Sequence, residues 1–297
     1  MFCGLPIPSK LPSLHTMRLY RYFDAAGALA TLKTKTMRFA SPLKFNDPFE
    51  MTPRIEQPSE ELVLDRLLAD HMVEDYFFKV GSKKGLGREE SSKEYHACEL
   101  PRRFQKLRTL EGWSKKASDL KWEWVGKIAQ GFRILCCSYR EDSILMWSHY
   151  AEQHRGMVIE FETAEMFEGL DLASEAHEVR YRSSPPSIPA LHQDMASFEE
   201  SLLQVLTTKA LEWSYEEEVR IRIPTKGGLS SEEPLDLSID PKCFKRVIVG
   251  CYDHPSQKTY DAVERLAETP ELKHVTFQRA YLDSHDYKLR FADKPKA

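Results

Sequence analysis

Three consecutive glutamates, Glu216, Glu217 and Glu218, stand where a predicted helix ends and a predicted strand begins. Carboxylates this close together raise one another's pKa unless a cation or a ligand lies between them. Because side chains alternate along a strand, the pattern predicts Glu216 and Glu218 on one face and Glu217 on the other. Arg220 and Arg222 continue the first face. The cluster is therefore either a ladder of surface ion pairs, which contributes little to stability, or a chemical site.

A chemical site with two such carboxylates suits the breaking of a glycosidic or N-ribosyl bond. Glu218 would stabilise the oxocarbenium-like positive charge, while Glu216 orients a hydroxyl or activates the acceptor. Three residues just upstream, Lys209, Trp213 and Tyr215, offer a phosphate contact and a stacking surface. One short segment thus holds many of the groups that this reaction needs.

The loop at residues 41–50 combines a hydroxyl, an amide, two carboxylates and two phenyl rings. In one interpretation, Asn46 or Asp47 forms an Asx turn before a proline while Phe45 and Phe49 anchor the loop to the core. In the other, the loop shapes a ligand site. The residues of the loop leave both interpretations open.

A second aromatic motif precedes a buried strand. Trp147, Ser148 and Tyr150 can stack on a flat ring and orient it through the indole N–H and a hydroxyl. Core packing explains Trp147 nearly as well. The neighbouring His149 and His154 are more typical of surface histidines.

The elements that position these groups follow from hydrophobic periodicity and turn residues. Asp24 is predicted to cap a helix that ends near residue 35. A helical insertion is predicted at about residues 59–130, with helical runs at 59–80, 96–110 and 114–130 around a polar break at 81–95. Further helices are predicted at 144–150, 193–211 and 257–267, and strands at 18–23, 36–40, 132–138, 156–162, 178–182, 245–250, 274–279 and 287–291 and directly after the glutamates.

Composition narrows the class of protein. The chain has 297 residues, of which 41% are hydrophobic and 30% charged, and its net charge of −4 gives no overall basic field for nucleic acid. No apolar stretch is long enough to span a bilayer, and the N-terminus lacks a signal-peptide pattern, so we expect a cytoplasmic protein with no membrane association. The six cysteines show no Cys-x-x-Cys spacing, so no metal site is expected.

Four motifs occur in order along the chain. They are LYRY at 19–22, FASPLKFNDPFE at 39–50, MWSHY at 146–150 with GMVIEF at 156–161, and the segment from Lys209 through WSYEEEVR at 213–220. Taken together, these motifs resemble a large bacterial family of unassigned function, the DUF2971 family. The resemblance covers most of residues 18–250 and is weaker in the helical insertion and the C-terminal segment.

The order of these parts is also similar to the three-part site of ADP-ribosyltransferases. In those enzymes a first-strand residue holds the nicotinamide ribose and a late glutamate stabilises the oxocarbenium. By position, Arg21 or Tyr20 takes the first role, Ser41 the second-strand role and Glu218 the last, with Glu216 as its partner. The chain departs from that pattern because it lacks a Ser-Thr-Ser triplet after its second strand and a histidine on its first.

The second resemblance implies an α+β fold whose central mixed or antiparallel β-sheet core is like that of ADP-ribosyltransferases, with the helical insertion added. We expect a single domain at residues 17–297 behind an extended tail at 1–16. NAD would be the substrate, Glu218 and Glu216 the catalytic residues, and no metal would be bound. The residues expected to bind NAD are Tyr20, Arg21, Ser41, Asn46, Asp47, Trp147, Tyr150, Lys209 and Trp213.

The sequence therefore favours an NAD-dependent ADP-ribosyltransferase-like enzyme. We expect a bacterial toxin or phage-defence effector that modifies a nucleic acid or a protein and has a neutralising or sensor partner. A non-catalytic module that recognises a nucleotide or a protein is one alternative. The other is a metal-dependent nuclease or phosphodiesterase, in which Mg²⁺ is bound by Asp47, Glu50, Glu216 and Glu218 and phosphate by Lys209.

Overall fold

The structure is a computed structural model that describes residues 18–57, 76–99, 101–102, 110–163, 166, 175–190, 194–225, 230–252 and 257–293. The chain divides into two compact units. The first comprises residues 1–47, 129–183 and 209–297, and the second comprises residues 48–128 and 184–208. The tail expected at 1–16 and most of the helix expected at 59–80 lie outside the described residues.

Strands and helices alternate irregularly along the described chain. The helices are α1 (Ala25–Thr34), α2 (Arg88–Glu94), α3 (Leu110–Gly131), α4 (Ile144–Tyr150), α5 (Met195–Leu206) and α6 (Gln257–Ala267). Short 3-10 or π turns cover Pro42–Lys44, Phe77–Gly81, Ser82–Lys84, Tyr95–Glu99, Leu211–Glu216 and Pro241–Cys243. The strands are β1 (Arg18–Phe23), β2 (Thr36–Phe39), β3 (Arg54–Glu56), β4 (Phe132–Ser138), β5 (Met157–Glu162), β6 (Ala176–Glu178), β7 (Arg180–Arg182), β8 (Ser187–Pro189), β9 (Thr208–Ala210), β10 (Glu218–Pro224), β11 (Leu235–Ser238), β12 (Phe244–Val249), β13 (Thr276–Leu282) and β14 (Leu289–Asp293).

The first unit is built on an eight-stranded sheet in the order β14-β13-β12-β5-β1-β4-β10-β6. Only β12 and β13 run parallel, and the other neighbours are antiparallel. Two smaller pairs, β2 with β11 and β7 with β9, also contribute. The prediction of an α+β fold with a large mixed sheet is confirmed.

One face of this sheet carries the main hydrophobic core. Because successive side chains of a strand point to opposite faces, Leu19, Ile159 and Val219 all lie on this side. They pack in one buried cluster with residues of α1 and α6, such as Leu32 and Val263. Burial of this apolar surface is the dominant stabilising contribution to the unit.

The opposite face of the same sheet is largely polar across its middle. Register pairing places one residue from each of five neighbouring strands side by side, in a line that we call the polar row. Adjacent strands are about 4.8 Å apart, so the row extends across about 19 Å. Its members, from β12 to β10, are Arg246, Glu160, Tyr20, Ser138 and Glu218.

The helix α4 is capped by Ser143, whose hydroxyl accepts a hydrogen bond from the backbone N–H of Met146 at 3.4 Å. It packs Trp147 against Tyr22 of β1 in an edge-to-face contact, with ring centroids 5.7 Å apart. Trp147 is fully buried in a second apolar cluster on the face that carries the polar row. This packing fixes the helix beside β1 and leaves its C-terminal residue, Tyr150, near the polar row.

The second unit is mainly helical where it is described. It contains α2, α5, most of α3, and a parallel pair formed by β3 and β8. Trp124 of α3 stacks on Phe198 of α5 with centroids 5.0 Å apart. The indole and the phenyl ring therefore join the two longest described helices of this unit.

Several predicted boundaries agree with the structure, and three differ for physical reasons. The predicted strand 178–182 is two strands, because the N–H of Val179 turns to the carbonyl of Glu218. The predicted helix 193–211 ends at Leu206, since residues 208–210 form β9. The predicted polar break at 81–95 contains α2, where the Glu90 carboxylate accepts from the N–H of Gly87.

Candidate functional site

Lys209, the middle residue of β9, lies within a buried group of charges in the first unit. Its ammonium nitrogen lies 2.6 Å from Oε2 of Glu216 and 3.2 Å from Oε2 of Glu218. All three side chains are at most 5% exposed. A buried charge is costly unless it is paired, so the ammonium and the two carboxylates stabilise one another. With Arg220 and Tyr150, these residues are called the carboxylate network below.

Glu218 is the first residue of β10 and is held on two sides. Its Oε1 accepts from Nε of Arg220 at 2.8 Å and its Oε2 accepts from Nη2 at 3.1 Å, in the fork geometry that makes such pairs strong. Its backbone N–H donates to the Tyr181 hydroxyl at 2.8 Å. Burial opposes ionisation of Glu218, but Arg220 and Lys209 outweigh it and hold its pKa below the usual value.

Glu216 has the opposite electrostatic balance. Burial is the largest effect on this carboxyl and raises its pKa, the charge of Glu218 raises it further, and Lys209 opposes both. The Tyr150 hydroxyl donates to Oε1 of Glu216 at 2.7 Å. Two carboxyls a short distance apart therefore have pKa values displaced in opposite directions, as in sites where one group stays ionised and the other exchanges a proton.

The backbone explains why Glu216 and Glu218 both reach Lys209, and it corrects the predicted strand alternation. Glu216 ends the 3-10 helix Leu211–Glu216, and Glu217 has a φ of 42° in the left-handed region. The strand begins only at Glu218. The Ser138 hydroxyl donates to the carbonyl of Glu216 at 2.5 Å and fixes this turn. Convergence therefore arises from a left-handed turn between the two carboxylates.

Glu217 points away from the network. Its side chain is half exposed and lies 3.5 Å from Arg140. An ion pair of this exposure contributes little to stability. Glu217 is thus a natural control position for its two neighbours.

The second predicted arginine also lies outside the network. Nε of Arg222 donates to Glu175 at 2.8 Å, and its guanidinium lies over the ring of Phe132. The predicted Glu-Glu-Arg-Arg face therefore divides into two ion-pair groups. The ion pairs of the network are buried, so the prediction that they lie on the surface is wrong.

Aromatic rings cover the network next to Lys209. The ammonium lies 4.9 Å from the centroid of the Trp213 ring, within cation–π range. His149 and Tyr215 contact that ring at 6.4 and 6.0 Å between centroids. His149 is exposed and the other two rings are half-buried, so they present an aromatic surface beside the charges.

Two residues of the loop at 41–50 reach the network. Nδ2 of Asn46 donates to the Tyr150 oxygen at 3.3 Å, and Phe45 lies under the guanidinium of Arg220 at 5.3 Å. Asp47 is buried in the same loop. Four predicted site residues, Asn46, Tyr150, Lys209 and Trp213, are therefore brought together with the two predicted catalytic glutamates.

Other predicted site residues lie elsewhere in the first unit. Ser41 caps the turn Pro42–Lys44, accepting from the N–H of Leu43 at 3.2 Å and donating to the carbonyl of Ser231 at 2.5 Å. Nε1 of Trp147 donates to the carbonyl of Glu141 at 2.7 Å. Both side chains thus make structural contacts, which favours the core-packing interpretation of Trp147.

The first-strand candidates lie on opposite faces of β1. Nη1 of Arg21 donates to the carbonyl of Arg38 at 2.9 Å on the core side of the sheet. Tyr20 belongs to the polar row and lies two strands from Glu218, so the two backbones are about 10 Å apart. Burial, with the nearby Glu141 and Glu160, raises the pKa of Tyr20 to about 12. Of the two, only Tyr20 shares a face with Glu218.

Sequence reasoning missed two residues that position the glutamates. Ser138 holds the backbone of Glu216, and Tyr181 holds that of Glu218. Ser138 ends a strand whose bounds the sequence does predict, so its place at a strand terminus was the available signal. No sequence signal pointed to Tyr181, because its position depends on the pairing of β7 with β9.

The carboxylates predicted to bind Mg²⁺ are not arranged as a metal site in the described part of the chain. Among the described residues, no group of three or more His, Cys, Asp or Glu side chains is placed to hold a metal ion. The ammonium of Lys209 lies between Glu216 and Glu218, where a shared cation would lie. Glu50, the fourth predicted ligand, belongs to the second unit.

Within the described ranges, no helix combines the length and the apolar character needed to cross a bilayer.

Comparison with known protein families gives a match that includes all five residues of the carboxylate network. No curated protein and no solved structure matches the chain significantly. The matched segment runs from α4 into β10 and so contains Tyr150, Lys209, Glu216 and Glu218, whereas the loop at 41–50 lies outside it. Residues 146–221 match the family described as a protein of unknown function, DUF2971, which confirms the predicted resemblance over that segment.

Proposed function

We propose that this chain is an ADP-ribosyltransferase-like enzyme that uses NAD as its substrate and a nucleic acid or a protein as acceptor. The observation that carries the proposal is the buried pair of Glu216 and Glu218, held against one ammonium with pKa values displaced in opposite directions. Such a pair supplies one permanently ionised group and one proton-exchanging group.

In the proposed reaction, the bond between C1 of the nicotinamide ribose and the nicotinamide nitrogen breaks, and nicotinamide leaves with the bonding electron pair. The ionised Glu218 stabilises the positive charge that develops on the ribose. The acceptor then forms its bond to C1, and Glu216 takes the proton that the acceptor loses. Tyr20 lies in the polar row with Glu218, so this face of the sheet offers the Tyr20 hydroxyl as a group that can bind the ribose.

The aromatic surface formed by His149, Trp213 and Tyr215 supports the same proposal. Trp213 lies against Lys209 and contacts the other two rings, so a flat ring stacked on Trp213 would lie close to the carboxylates. Stacking of a base on an aromatic side chain contributes about 1–3 kcal/mol. A phosphate bound by Lys209 would have to share the ammonium with Glu216 and Glu218.

A nicotinamide-release assay with labelled NAD and a cell extract tests the proposal. Glu218→Gln should lower release about a hundredfold or more, as expected when a preorganised transition-state contact is lost. Glu217→Gln is the matched control, because Glu217 is adjacent, half exposed and outside the network. Absence of nicotinamide release and label transfer by the wild-type protein, or equal rates in the two variants, would refute the proposal.

The second candidate is a non-catalytic module that binds a nucleotide or a protein. The bidentate contact of Glu218 with Arg220 favours it, because both side chains are at most 5% exposed and already paired. In that case nucleotide binding, measured by calorimetry with ADP-ribose, would depend on Trp213 and would be unchanged in Glu218→Gln. Binding without turnover would support this candidate over the enzyme.

A further inference from the structure

Consecutive residues of one loop contact the two halves of the carboxylate network. Phe45 touches Arg220, which holds Glu218, and Asn46 touches Tyr150, which holds Glu216. The loop is fixed just before them by the turn Pro42–Lys44. A single short segment therefore reaches both carboxylates through intermediates.

Asn46 contacts the Tyr150 hydroxyl on its acceptor side, and Glu216 contacts it on its donor side. Nδ2 of Asn46 donates to the phenol oxygen at 3.3 Å, and that oxygen donates its own hydrogen to Glu216 at 2.7 Å. An amide nitrogen only donates, so it leaves the phenol hydrogen free for the carboxylate. Asn46 is exposed and Glu216 is buried, so the chain of contacts leads from the surface to the interior.

The Phe45 contact acts on the other half. The ring centroid is 5.3 Å from the guanidinium carbon of Arg220, whose Nε and Nη2 both face Glu218. A flat ring against one face of a guanidinium is favourable and restricts its orientation. Each of the two contacts therefore orients a hydrogen-bond donor toward one carboxylate.

We propose that Phe45 and Asn46, called the loop clamp, are positioning residues that hold Tyr150 and Arg220 aligned on Glu216 and Glu218. A ligand that displaces the loop would thereby change the hydrogen bonding of both buried carboxylates. The consequence for turnover rests on the proposed function, whereas the positioning itself does not.

Titration of Glu216 tests the Asn46 half. Besides Tyr150, the charged or titratable groups around Glu216 are Lys209 from β9, Glu218 from β10, Tyr181 from β7 and the adjacent Tyr215. In Asn46→Asp the new carboxylate accepts the Tyr150 hydrogen and adds a negative charge. Glu216 loses a donor to its ionised form, so its midpoint should rise by about one pH unit.

The measurement is carbon NMR of the glutamate side chains in the full chain, with the Glu216 signal assigned through Glu216→Gln. Asn46→Ala should shift the midpoint in the same direction by less. Leu43→Ala is the matched control, because Leu43 is an exposed residue of the same loop. An unchanged midpoint in Asn46→Asp, or an equal shift in Leu43→Ala, would overturn the proposal.

Hydrogen exchange of the Arg220 Nε–H tests the Phe45 half. Phe45→Leu keeps an apolar side chain and removes the ring, so exchange should accelerate about tenfold, while Phe45→Tyr should restore the wild-type rate. Equal rates in all three proteins would contradict the proposed clamp. Neither measurement uses NAD, so failure of the proposed enzyme activity leaves these outcomes interpretable, and the reverse also holds.

Discussion

Replacement of Lys209 by methionine removes a cation that Glu216 and Glu218 share. Methionine has similar length and is apolar, so the change deletes the charge with little loss of volume. Among the described contacts, Glu216 then keeps the Tyr150 hydrogen bond at 2.7 Å, and Glu218 keeps Arg220. The substitution therefore leaves a buried carboxylate with no cationic partner among its described contacts.

The expected loss of stability follows from the burial of the pair. Removing one partner of a buried ion pair costs about 3–5 kcal/mol, because the remaining charge stays desolvated. The contact of Lys209 with Glu216, at 2.6 Å and at most 5% exposure, meets that condition. We expect the free energy of unfolding to fall by about 3–5 kcal/mol at pH 7.

Urea denaturation followed by circular dichroism measures the effect. The matched control is Lys44→Met, since Lys44 and Glu232 form a pair of similar length, 2.5 Å, with both side chains more than half exposed. That control should lose less than about 1 kcal/mol. The two lysines thus separate the effect of burial from that of distance.

A double mutant sharpens the same prediction. Adding Glu216→Gln to Lys209→Met removes the stranded charge, so part of the lost stability should return, with a coupling energy of about 1–3 kcal/mol. The loss should also diminish at acid pH, because Glu216, whose pKa is already raised, then takes up a proton. Equal losses in Lys209→Met and Lys44→Met, or no recovery in the double mutant, would refute the reasoning.

Two further predictions concern Glu218 and the glycines. The pKa of Glu218 is lower in the folded than in the unfolded chain, so its stabilising effect is complete above the unfolded value of about 4.3 and is lost as pH falls through the folded value. The stability of the wild type should therefore fall more steeply than that of Glu218→Gln below about pH 4, and parallel urea titrations at several pH values would contradict this. Gly156→Ala should cost more than about 3 kcal/mol in urea denaturation, because the added Cβ would lie 2.1 Å from the carbonyl oxygen of Phe23. Gly126→Ala in α3, where a Cβ meets nothing within 4 Å, should stabilise the protein by about 1 kcal/mol; equal effects of the two glycine substitutions would be inconsistent with this packing.

Local patterns predict much of the fold. Strands β1 and β4 and helix α6 have the predicted bounds, and Asp24 caps α1 through a hydrogen bond from the N–H of Gly27 at 2.6 Å. These elements follow from residues near one another in the sequence. The helix α2 escaped prediction because it lacks an apolar period and its N-terminus is fixed by Glu90.

The site depends on contacts that no local pattern contains. The sequence predicts that Glu216 and Glu218 act together, yet their convergence requires the left-handed Glu217 and the distant Lys209. Register between strands places Tyr20, rather than Arg21, on the face of Glu218. Strand register is set by the whole sheet, so a sequence read alone leaves the choice between the two residues open.

The strand β10 has a double role that limits how it can change. Its odd-numbered residues, such as Val219 and Ile221, pack in the core, while Glu218 and Arg220 serve the opposite face. Loss or gain of one residue within the strand would exchange the two sets, placing charges in the core and aliphatic side chains beside Lys209. New chemistry at this site can therefore come from substitutions at alternate positions of β10, but not from a change in the length of the strand.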